Sequence, residues 1–411
     1  MALFKNIYHF FLAWLGGLIY GQPSREVFVL GVTGTKGKST VLELINEVLE
    51  AAGKKTALTS SVRIKIGSES RKNLTENTMP GRFFLQKFLR DAVTHGCEYV
   101  LIEVTSEGIV QCRHRFIDFD AALFLNLHPE HIERHGSFEK YRAAKVKFFE
   151  DVAKFSPKVR RLFFINHEDR NHGYFVDAVR GRGEIYYFSK DDFLGKKLGG
   201  RRNALGDWLS SDFNMENAAA AARFAELHGI NWDTIKKALS SYKGLEGRMD
   251  VAQEKPFRVV VDYAHTPDSL LKVYKALSNS KLKNKNQKPK LICVLGSAGG
   301  GRDKWKRPEF GKIAGEYCDT IILTNEDPYD EEPNSILDQV KSGIRSSAFD
   351  SGKSGLYEIL DRREAVNKAI TLAKKNDTII ITGKGSENWI HVANGKKIPW
   401  NERKIVEELL G

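Results

Sequence analysis

The densest chemistry in the sequence lies between Gly31 and Thr40 (GVTGTKGKST), where an apolar run meets a helical pattern. Glycines let backbone N–H groups wrap a phosphate, and the N-terminus of a following helix adds partial positive charge. Lys38 reaches terminal phosphates from such a loop, and the Ser39 hydroxyl can bind magnesium. A strict GxxxxGK[ST] pattern would place glycine at 32, where this chain has Val32; the loop is a variant built on Gly31 and Gly34. The expected ATP-phosphate site is therefore Gly34, Thr35, Lys36, Gly37, Lys38, Ser39 and Thr40. Glu103 closes the apolar run Tyr99 to Ile102. A carboxylate at the C-terminal end of a strand lies in the ligand crevice of an open α/β sheet, where it can hold magnesium directly or through water. Downstream, NLHPEHIERHG (residues 126–136) puts His128, His131 and His135 into one turn-rich stretch, and one of them is a candidate metal ligand. Lys145 follows in YRAAK, flanked by Ala143, Ala144 and Val146. Burial there would lower its pKa and free the neutral amine for carbamylation, which creates an anion able to ligate magnesium. The commoner fate of such a lysine is to snorkel.

These residues need a scaffold, and the pattern supplies one. Glu26 to Val32, Tyr99 to Ile102, Ala121 to Leu125, Leu162 to Ile165 and Glu184 to Phe188 read as strands alternating with helices, the last of these being the alanine-rich Asn214 to Leu227. A second alternation begins near Arg248, with strands at Arg258 to Val261, Leu291 to Leu295, Thr320 to Leu323 and Thr378 to Ile381. The expected fold class is α/β: a central P-loop ATPase domain with a mostly parallel sheet, then a smaller Rossmann-like C-terminal α/β domain. GLEG at Gly244 to Gly247 marks the boundary, giving segments 1–26, 27–247 and 248–411. Within the first, Ile7 to Tyr20 is apolar but short of the roughly 20 residues a spanning helix needs. No small-residue cleavage site follows it, so it reads as an aromatic amphipathic helix packed on the first domain, with contact to a membrane surface as the functional alternative. Ser280 to Lys290 reads as a basic surface loop.

Composition sets the outer bounds. The chain has 411 residues, 41% hydrophobic and 28% charged, which suits a globular protein and excludes a disordered one. A net charge of +12 points to an anionic partner: a nucleic acid, a membrane or a polyanionic small molecule. No basic stripe interleaved with aromatics and no recognisable nucleic-acid module is present, which weighs against nucleic acid. The four cysteines form no CxxC pair, and their sparse use suits a reducing cytoplasm.

Several of these motifs match one family in order. TGTKGKST, EVTSEGIVQ (Glu103 to Gln111), NLHPEHIERHG and YRAAK resemble the Mur ligases, most of all the MurE type; GRMD at Gly247, DYAHTPDSL at Asp262, GGGRDKWKRP at Gly299 and GKGSE at Gly383 continue the likeness. It spans residues 27–411. The resemblance implies an ATP-dependent amide ligase in peptidoglycan precursor synthesis: a substrate carboxylate attacks the γ-phosphate, and an amino acid's amine then displaces phosphate from the acyl phosphate. It implies ATP and Mg2+, with Lys38, Glu103, His131 and Lys145 as catalytic residues and Ser39, Glu103, His131 and carbamylated Lys145 around magnesium. Asn214 and Asn217 (FNMEN) match the adenine side. Arg248 and Asp262 match contacts to phosphate and ribose, with His265 lining the nucleotide, so two domains would close around ATP. Thr78 in NTMPG matches an acceptor-binding threonine. Arg302 would hold the incoming amino acid's carboxylate, with Asp327, Gly383 and Glu387 beside it. The expected protein is a cytoplasmic monomer acting on small molecules.

Three departures bear on substrate. Some 30 residues precede the phosphate loop, where the MurE type carries a UDP-gripping domain. The family's DNPR stands here as Glu326-Asp327-Pro328-Tyr329, which lacks the arginine that reads diaminopimelate; lysine, ornithine or another amino acid fits as well. The family's SSHG stands as Thr105-Ser106-Glu107-Gly108. An acceptor without UDP (a poly-amino acid, a folate-like molecule or a lipid-linked one) is the alternative within the class. A basic P-loop ATPase on nucleic acid is the alternative outside it.

Overall fold

The computed structural model describes residues 2–75, 77–130, 132–206, 208–280, 289–344 and 355–411. His131 and most of the basic loop at 280–290 lie outside the described residues. The chain divides into two compact units, Met1–Lys243 and Gly244–Gly411.

The first unit is built on an eight-stranded sheet: β1 (Phe28–Thr33), β2 (Thr56–Thr59), β3 (Arg63–Ile66), β4 (Glu69–Lys72), β5 (Tyr99–Glu103), β6 (Ala121–Phe124), β7 (Leu162–Asn166) and β8 (Glu184–Phe188). Their spatial order is β4-β3-β2-β5-β1-β6-β7-β8. From β2 to β8 across the sheet every pairing is parallel, while β3 and β4 extend one edge antiparallel. The central strands are apolar on both faces because helices cover both. Leu30 and Val32 pack with Val41, Leu44 and Ile45 of helix Lys38–Ala51 and with the alanines of helix Asp212–Leu227. Val29 packs on the other face with Phe148 of helix Phe138–Phe155 and Leu85 of helix Arg82–Thr94. Gly31 belongs to that second face. A Cβ there would lie 2.4 Å from the Phe148 ring and 2.9 Å from that of Phe119. Its glycine is required by core packing, not by phosphate wrapping, which corrects its assignment to the loop. Strand β1 begins at Phe28 rather than Glu26, because Pro23–Arg25 forms a 3-10 turn first.

The second unit holds a six-stranded sheet of β9 (Asp250–Gln253), β10 (Arg258–Asp262), β11 (Leu291–Leu295), β12 (Thr320–Leu323), β13 (Gly355–Glu358) and β14 (Thr378–Thr382). The order is β13-β12-β11-β14-β10-β9, and only β9 runs antiparallel. Leu270 and Phe310 pack from helices Pro267–Ser280 and Lys306–Tyr317 on one face, Ala365 and Val406 from helices Arg362–Leu372 and Glu402–Leu410 on the other. A hairpin of β15 (Trp389–His391) and β16 (Lys397–Pro399) follows. Cys293 of β11 is joined to Cys318, just ahead of β12, by a disulfide, while Cys97 and Cys112 are free. The pairing gave no sequence signal, because the partners are 25 residues apart and meet only through the parallel alignment of β11 with β12.

Candidate functional site

In the first unit β1 lies between β5 and β6, so chain connections leave it in both directions and open a crevice at its C-terminal end. The loop after β1 and the last residue of β5 meet there. Glu103 Oε2 accepts hydrogen bonds from Ser39 Oγ at 2.8 Å and from the Ser61 backbone N–H at 2.9 Å. The Ser39 and Ser61 hydroxyls are 2.9 Å apart, and Lys38 Nζ lies 3.7 Å from Glu103 Oε1. That ammonium also donates to the Gly34 and Thr35 carbonyls, each at 3.2 Å.

The loop is held open by specific partners. A Cβ on Gly34 would come within 3.0 Å of Leu125 Cβ, and Gly37 has φ +86°, a backbone state that favours glycine. A Cβ on Gly37 would also lie 2.3 Å from Asn217 Oδ1, so helix Asp212–Leu227 presses directly against the loop. Asn126, after β6, accepts from Thr35 N–H at 2.9 Å through its carbonyl and from Lys36 N–H at 3.0 Å through Oδ1. Lys36 pairs with Glu130 at 2.8 Å, and Thr35 Oγ1 lies 3.1 Å from the Tyr141 hydroxyl. Thr40 is buried at the start of the helix. Asn214 donates to the Trp208 carbonyl at 2.8 Å and accepts from Asn217 at 3.4 Å.

Lys145 is 2% exposed and donates to the Gly34 carbonyl at 2.8 Å. Burial, with the Lys38 charge adding to it, pushes its amine well below the usual lysine range. Thus Lys38, Ser39, Glu103 and Lys145 converge on one loop; His131 lies outside the described residues. The neighbouring histidines hold other positions: the His128 backbone N–H donates to Thr35 Oγ1 at 3.0 Å, and His135 Nε2 lies 3.1 Å from Ser106 Oγ. The altered TSEG stretch is ordered locally, with Thr105 capping helix Ser106–Val110 by accepting from Gly108 N–H at 3.1 Å. Thr78 is half-buried in the loop ahead of helix Arg82–Thr94, next to Met79, whose carbonyl accepts from Arg113.

The donor set of this crevice fits ATP with magnesium. A hydroxyl and a carboxylate oxygen stand together beside an ammonium, and a loop that requires glycine at position 37 precedes a helix N-terminus. Magnesium is commonly held by one or two protein oxygens with the rest supplied by phosphates and water.

The second unit carries its own polar cluster. Lys384 Nζ, fully buried, donates to both Asp327 carboxylate oxygens at 2.8 and 2.9 Å and to Glu387 Oε2 at 2.5 Å. Glu387 Oε1 accepts from the Tyr263 hydroxyl at 2.8 Å, and Asp327 Oδ1 accepts from His391 N–H at 2.8 Å. Burial opposes the Arg302 charge, but the neighbouring Tyr329 hydroxyl and Glu387 outweigh it and hold the guanidinium above its usual range. Tyr329 stacks on His391 with ring centroids 5.0 Å apart. Gly383 has φ +106°, and a Cβ there would lie 2.4 Å from Glu326 Oε2, a buried oxygen with no hydrogen-bond partner among the described residues. Burial, with Asp327 adding, raises the Glu326 carboxyl above its usual range. Arg248 lies over the Tyr263 ring at 4.1 Å. Asp262 accepts from Met249 N–H at 2.7 Å and Ala264 N–H at 2.8 Å, and His265 Nδ1 is 2.7 Å from the Tyr263 carbonyl. Arg302, Asp327, Gly383 and Glu387 are therefore brought into one cluster, while Arg248, Asp262 and His265 gather around Tyr263.

Sequence reasoning missed Ser61, Asn126, Glu216, Tyr263 and Lys384. Asn126 donates to Glu216 at 3.1 Å, and Asn166 donates to the same carboxylate at 2.9 Å. Four of the five sit inside motifs already singled out; Ser61, in a plain strand-to-strand turn, had no signal.

The parallel α/β sheet with its glycine loop, followed by a second Rossmann-like unit, defines a two-unit P-loop protein. The Mur ligase middle domain matches residues 32–225, and the Mur ligase glutamate ligase domain matches residues 247–385. The UDP-N-acetylmuramyl-tripeptide synthetase of Roseiflexus sp. is 34% identical over 97% of this chain and 82% of its own. A solved UDP-N-acetylmuramoyl-L-alanyl-D-glutamate–2,6-diaminopimelate ligase superposes with a TM-score of 0.58 at 27% identity, covering 93% of this chain and 78% of its own. Folylpolyglutamate synthase of Mycobacterium tuberculosis, 12% identical, shares the fold with a TM-score of 0.64 over 93% of this chain and 96% of its own. The chain belongs to the Mur ligase family, ATP-dependent ligases that form amide bonds in peptidoglycan precursor synthesis.

Proposed function

We propose that this ligase adds one amino acid to a carboxylate of a muramyl-peptide-like acceptor, with ATP and Mg2+, in the cytoplasm. The observation that carries the reading is the meeting of Lys38, Ser39 and Glu103 at the C-terminal ends of β1 and β5. The reaction must bring a carboxylate up to a triphosphate, so its first obstacle is repulsion between two anions. Lys38 moves its ammonium from the loop carbonyls onto the terminal phosphates and screens them. Ser39 and Glu103 would hold magnesium, with His131 as a further ligand, and the ion would supply charge neutralisation at the phosphate oxygens. Lys145, whose amine burial pushes toward the neutral form, adds through its nitrogen lone pair to carbon dioxide and loses a proton. The resulting carbamate restores a negative group beside the Lys38 charge and would serve as a further magnesium ligand. Asn214 and Asn217 line the adenine side. Arg248, Asp262 and His265 contribute to the nucleotide from the second unit, and Thr78 contributes to the acceptor.

Arg302 receives the incoming amino acid's carboxylate in a charge-assisted pair. Asp327 and Glu387, fixed on Lys384, and Gly383, kept free of a side chain, shape the rest of that pocket. Tyr329 stands where a diaminopimelate-reading arginine would, offering a hydroxyl rather than a cation to a distal group. Lysine and ornithine are accordingly tested beside diaminopimelate. The experiment is phosphate release from ATP in a matrix of amino acids against UDP-muramyl-peptide, free acidic peptide and folate acceptors. Release that needs both an amino acid and a muramyl-peptide, with the amide product seen by mass, supports the reading. Release driven by DNA or RNA alone, or by folate alone, overturns it.

A further inference from the structure

Helix Ala2–Ile19 packs on helix Arg82–Thr94 through its small residues. Ala13, Gly16 and Gly17 are buried, and the Cβ positions of the two glycines lie 3.5 Å from Gln86 and Phe116. The aromatic and aliphatic residues face outward: Phe11 is 52% and Trp14 42% exposed, with Ile7, Tyr8 and Leu18 exposed beside them. The helix carries no Asp or Glu. Neither its ligase chemistry nor its fold explains an apolar face left toward solvent on this scale.

A second segment continues that face. Residues 154–161 read KFSPKVRR, with Phe155 51% and Val159 99% exposed. The two are linked by Arg115, whose guanidinium lies 5.6 Å from the Phe10 ring centroid and 4.1 Å from that of Phe155. Lys154 Nζ lies 5.2 Å from the same Phe155 ring. Three nearby carboxylates are matched by cations, Asp120 by Lys158, Glu184 by Arg160, and Asp151 by Arg115 and Lys147, and exposed Glu150 lies one helical turn before Lys154. Lys154 and Arg161 add positive charge beyond those pairs.

We propose that the outward face of helix Ala2–Ile19 and the 154–161 turn form one docking surface for an anionic lipid bilayer. Exposed aromatics enter the headgroup boundary while the flanking lysines and arginines meet lipid phosphates. No helix among the described residues is long and apolar enough to cross a membrane, so the element lies on the surface rather than spanning it. A second copy of the chain fits poorly, because self-association through this face would set one basic turn against another.

The test is co-sedimentation of the full chain with phosphatidylcholine vesicles, with and without about one-third phosphatidylglycerol, at low and high salt. The chain should sediment with the anionic vesicles at low salt and stay in solution otherwise. Lys154→Glu and Val159→Asp should each weaken binding at least about fivefold, as loss of one surface charge or one inserted apolar group predicts. Phe11→Ser combined with Trp14→Ser should abolish it while ligation in vesicle-free solution is unchanged, which shows that the variants fold. Binding that ignores lipid charge or Lys154→Glu overturns the proposal. So does a vesicle-independent dimer that the Phe11/Trp14 variant dissolves, and so does failure to sediment at all.

Discussion

Each unit buries a lysine deep in its polar cluster, Lys145 in the first and Lys384 in the second, and these two are held in opposite states. Among the described residues Lys145 has a single hydrogen-bond acceptor, the neutral Gly34 carbonyl, and burial together with Lys38 drives its amine toward the uncharged form. Lys384 is as deeply buried, but Asp327 and Glu387 outweigh the burial and hold its ammonium above the usual range. Burial alone therefore decides nothing; the partner does. An uncharged amine is a nucleophile available for chemistry, whereas a doubly paired ammonium is a fixed strut.

The sharpest way to break the comparison is to remove the charge that helps neutralise Lys145. Lys38→Ala should cost roughly a thousandfold in turnover, the scale of losing a key electrostatic stabiliser of transferring phosphate. It should also shift carbamate formation on Lys145, followed by carbon-13 NMR with labelled bicarbonate, to higher pH. Loss of Lys38 both eases protonation of the amine and removes a cation that steadies the carbamate. Undiminished turnover would show that the loop does not hold the reacting phosphates. Lys145→Ala should cost about a hundredfold or more and recover in part with a small carboxylate such as acetate, since ligation by a carboxylate oxygen is all that is lost. No recovery at any carboxylate concentration would set the carbamate aside.

Stability measures the same contrast with opposite signs. The folded pKa of Lys145 is depressed, so unfolding takes up a proton and the lysine weakens the fold as pH falls from its usual 10.5 toward the folded value. Lys145→Met, in bicarbonate-free buffer near neutral pH, should raise the melting midpoint by a few degrees, an advantage that vanishes above about pH 10.5. For Lys384 the folded pKa is raised, so its contribution is complete below 10.5 and lost as pH climbs through the folded value. Lys384→Met should cost about 3 kcal/mol at neutral pH by stranding Asp327 and Glu387. Equal shifts of one sign in both variants would mean that burial, and not pairing, governs the two sites.

How much of this was legible in the sequence follows the same division. Strands β11 and β12 match their apolar runs residue for residue, because parallel strands buried on both faces are near-continuous apolar runs, and β8 (EIYYF) matches as well although it is a partly exposed edge strand. Strands β2, β3, β4, β9 and β13 and the β15–β16 hairpin escaped, since β4 (ESRK) is exposed throughout and the others are short stretches in which polar residues or glycine interrupt the apolar ones. The phosphate loop was readable because glycine, lysine and serine must occur together. Gly31 was misread as part of it, because only the packing of Phe148 and Phe119 reveals what excludes a side chain there. Ser61 was invisible, as its contribution is a backbone N–H and a hydroxyl delivered by a turn. Lys384 stood in plain view in GKGSE, yet its state is set by Asp327, 57 residues earlier in the chain.

The smallest effect tests whether the strut in the second unit matters to substrate. The Tyr263 hydroxyl donates to Glu387 at 2.8 Å, and burial, with Glu387 adding, raises its pKa well above the usual range, so it stays a donor at working pH. Tyr263→Phe removes that one bond and leaves Lys384 on the other Glu387 oxygen. A lost hydrogen bond to a charged group is worth about 1.5 kcal/mol or somewhat more, which is roughly a tenfold change at most when the freed carboxylate can find water. Glu387 is partly exposed, so the expected outcome is a rise of about fivefold in KM for the amino acid, with kcat and the KM for ATP unchanged. A fall in kcat at constant KM would instead tie Tyr263, through Arg248 stacked on its ring, to the nucleotide. Glu387 would then belong to the phosphate chemistry rather than to amino-acid recognition.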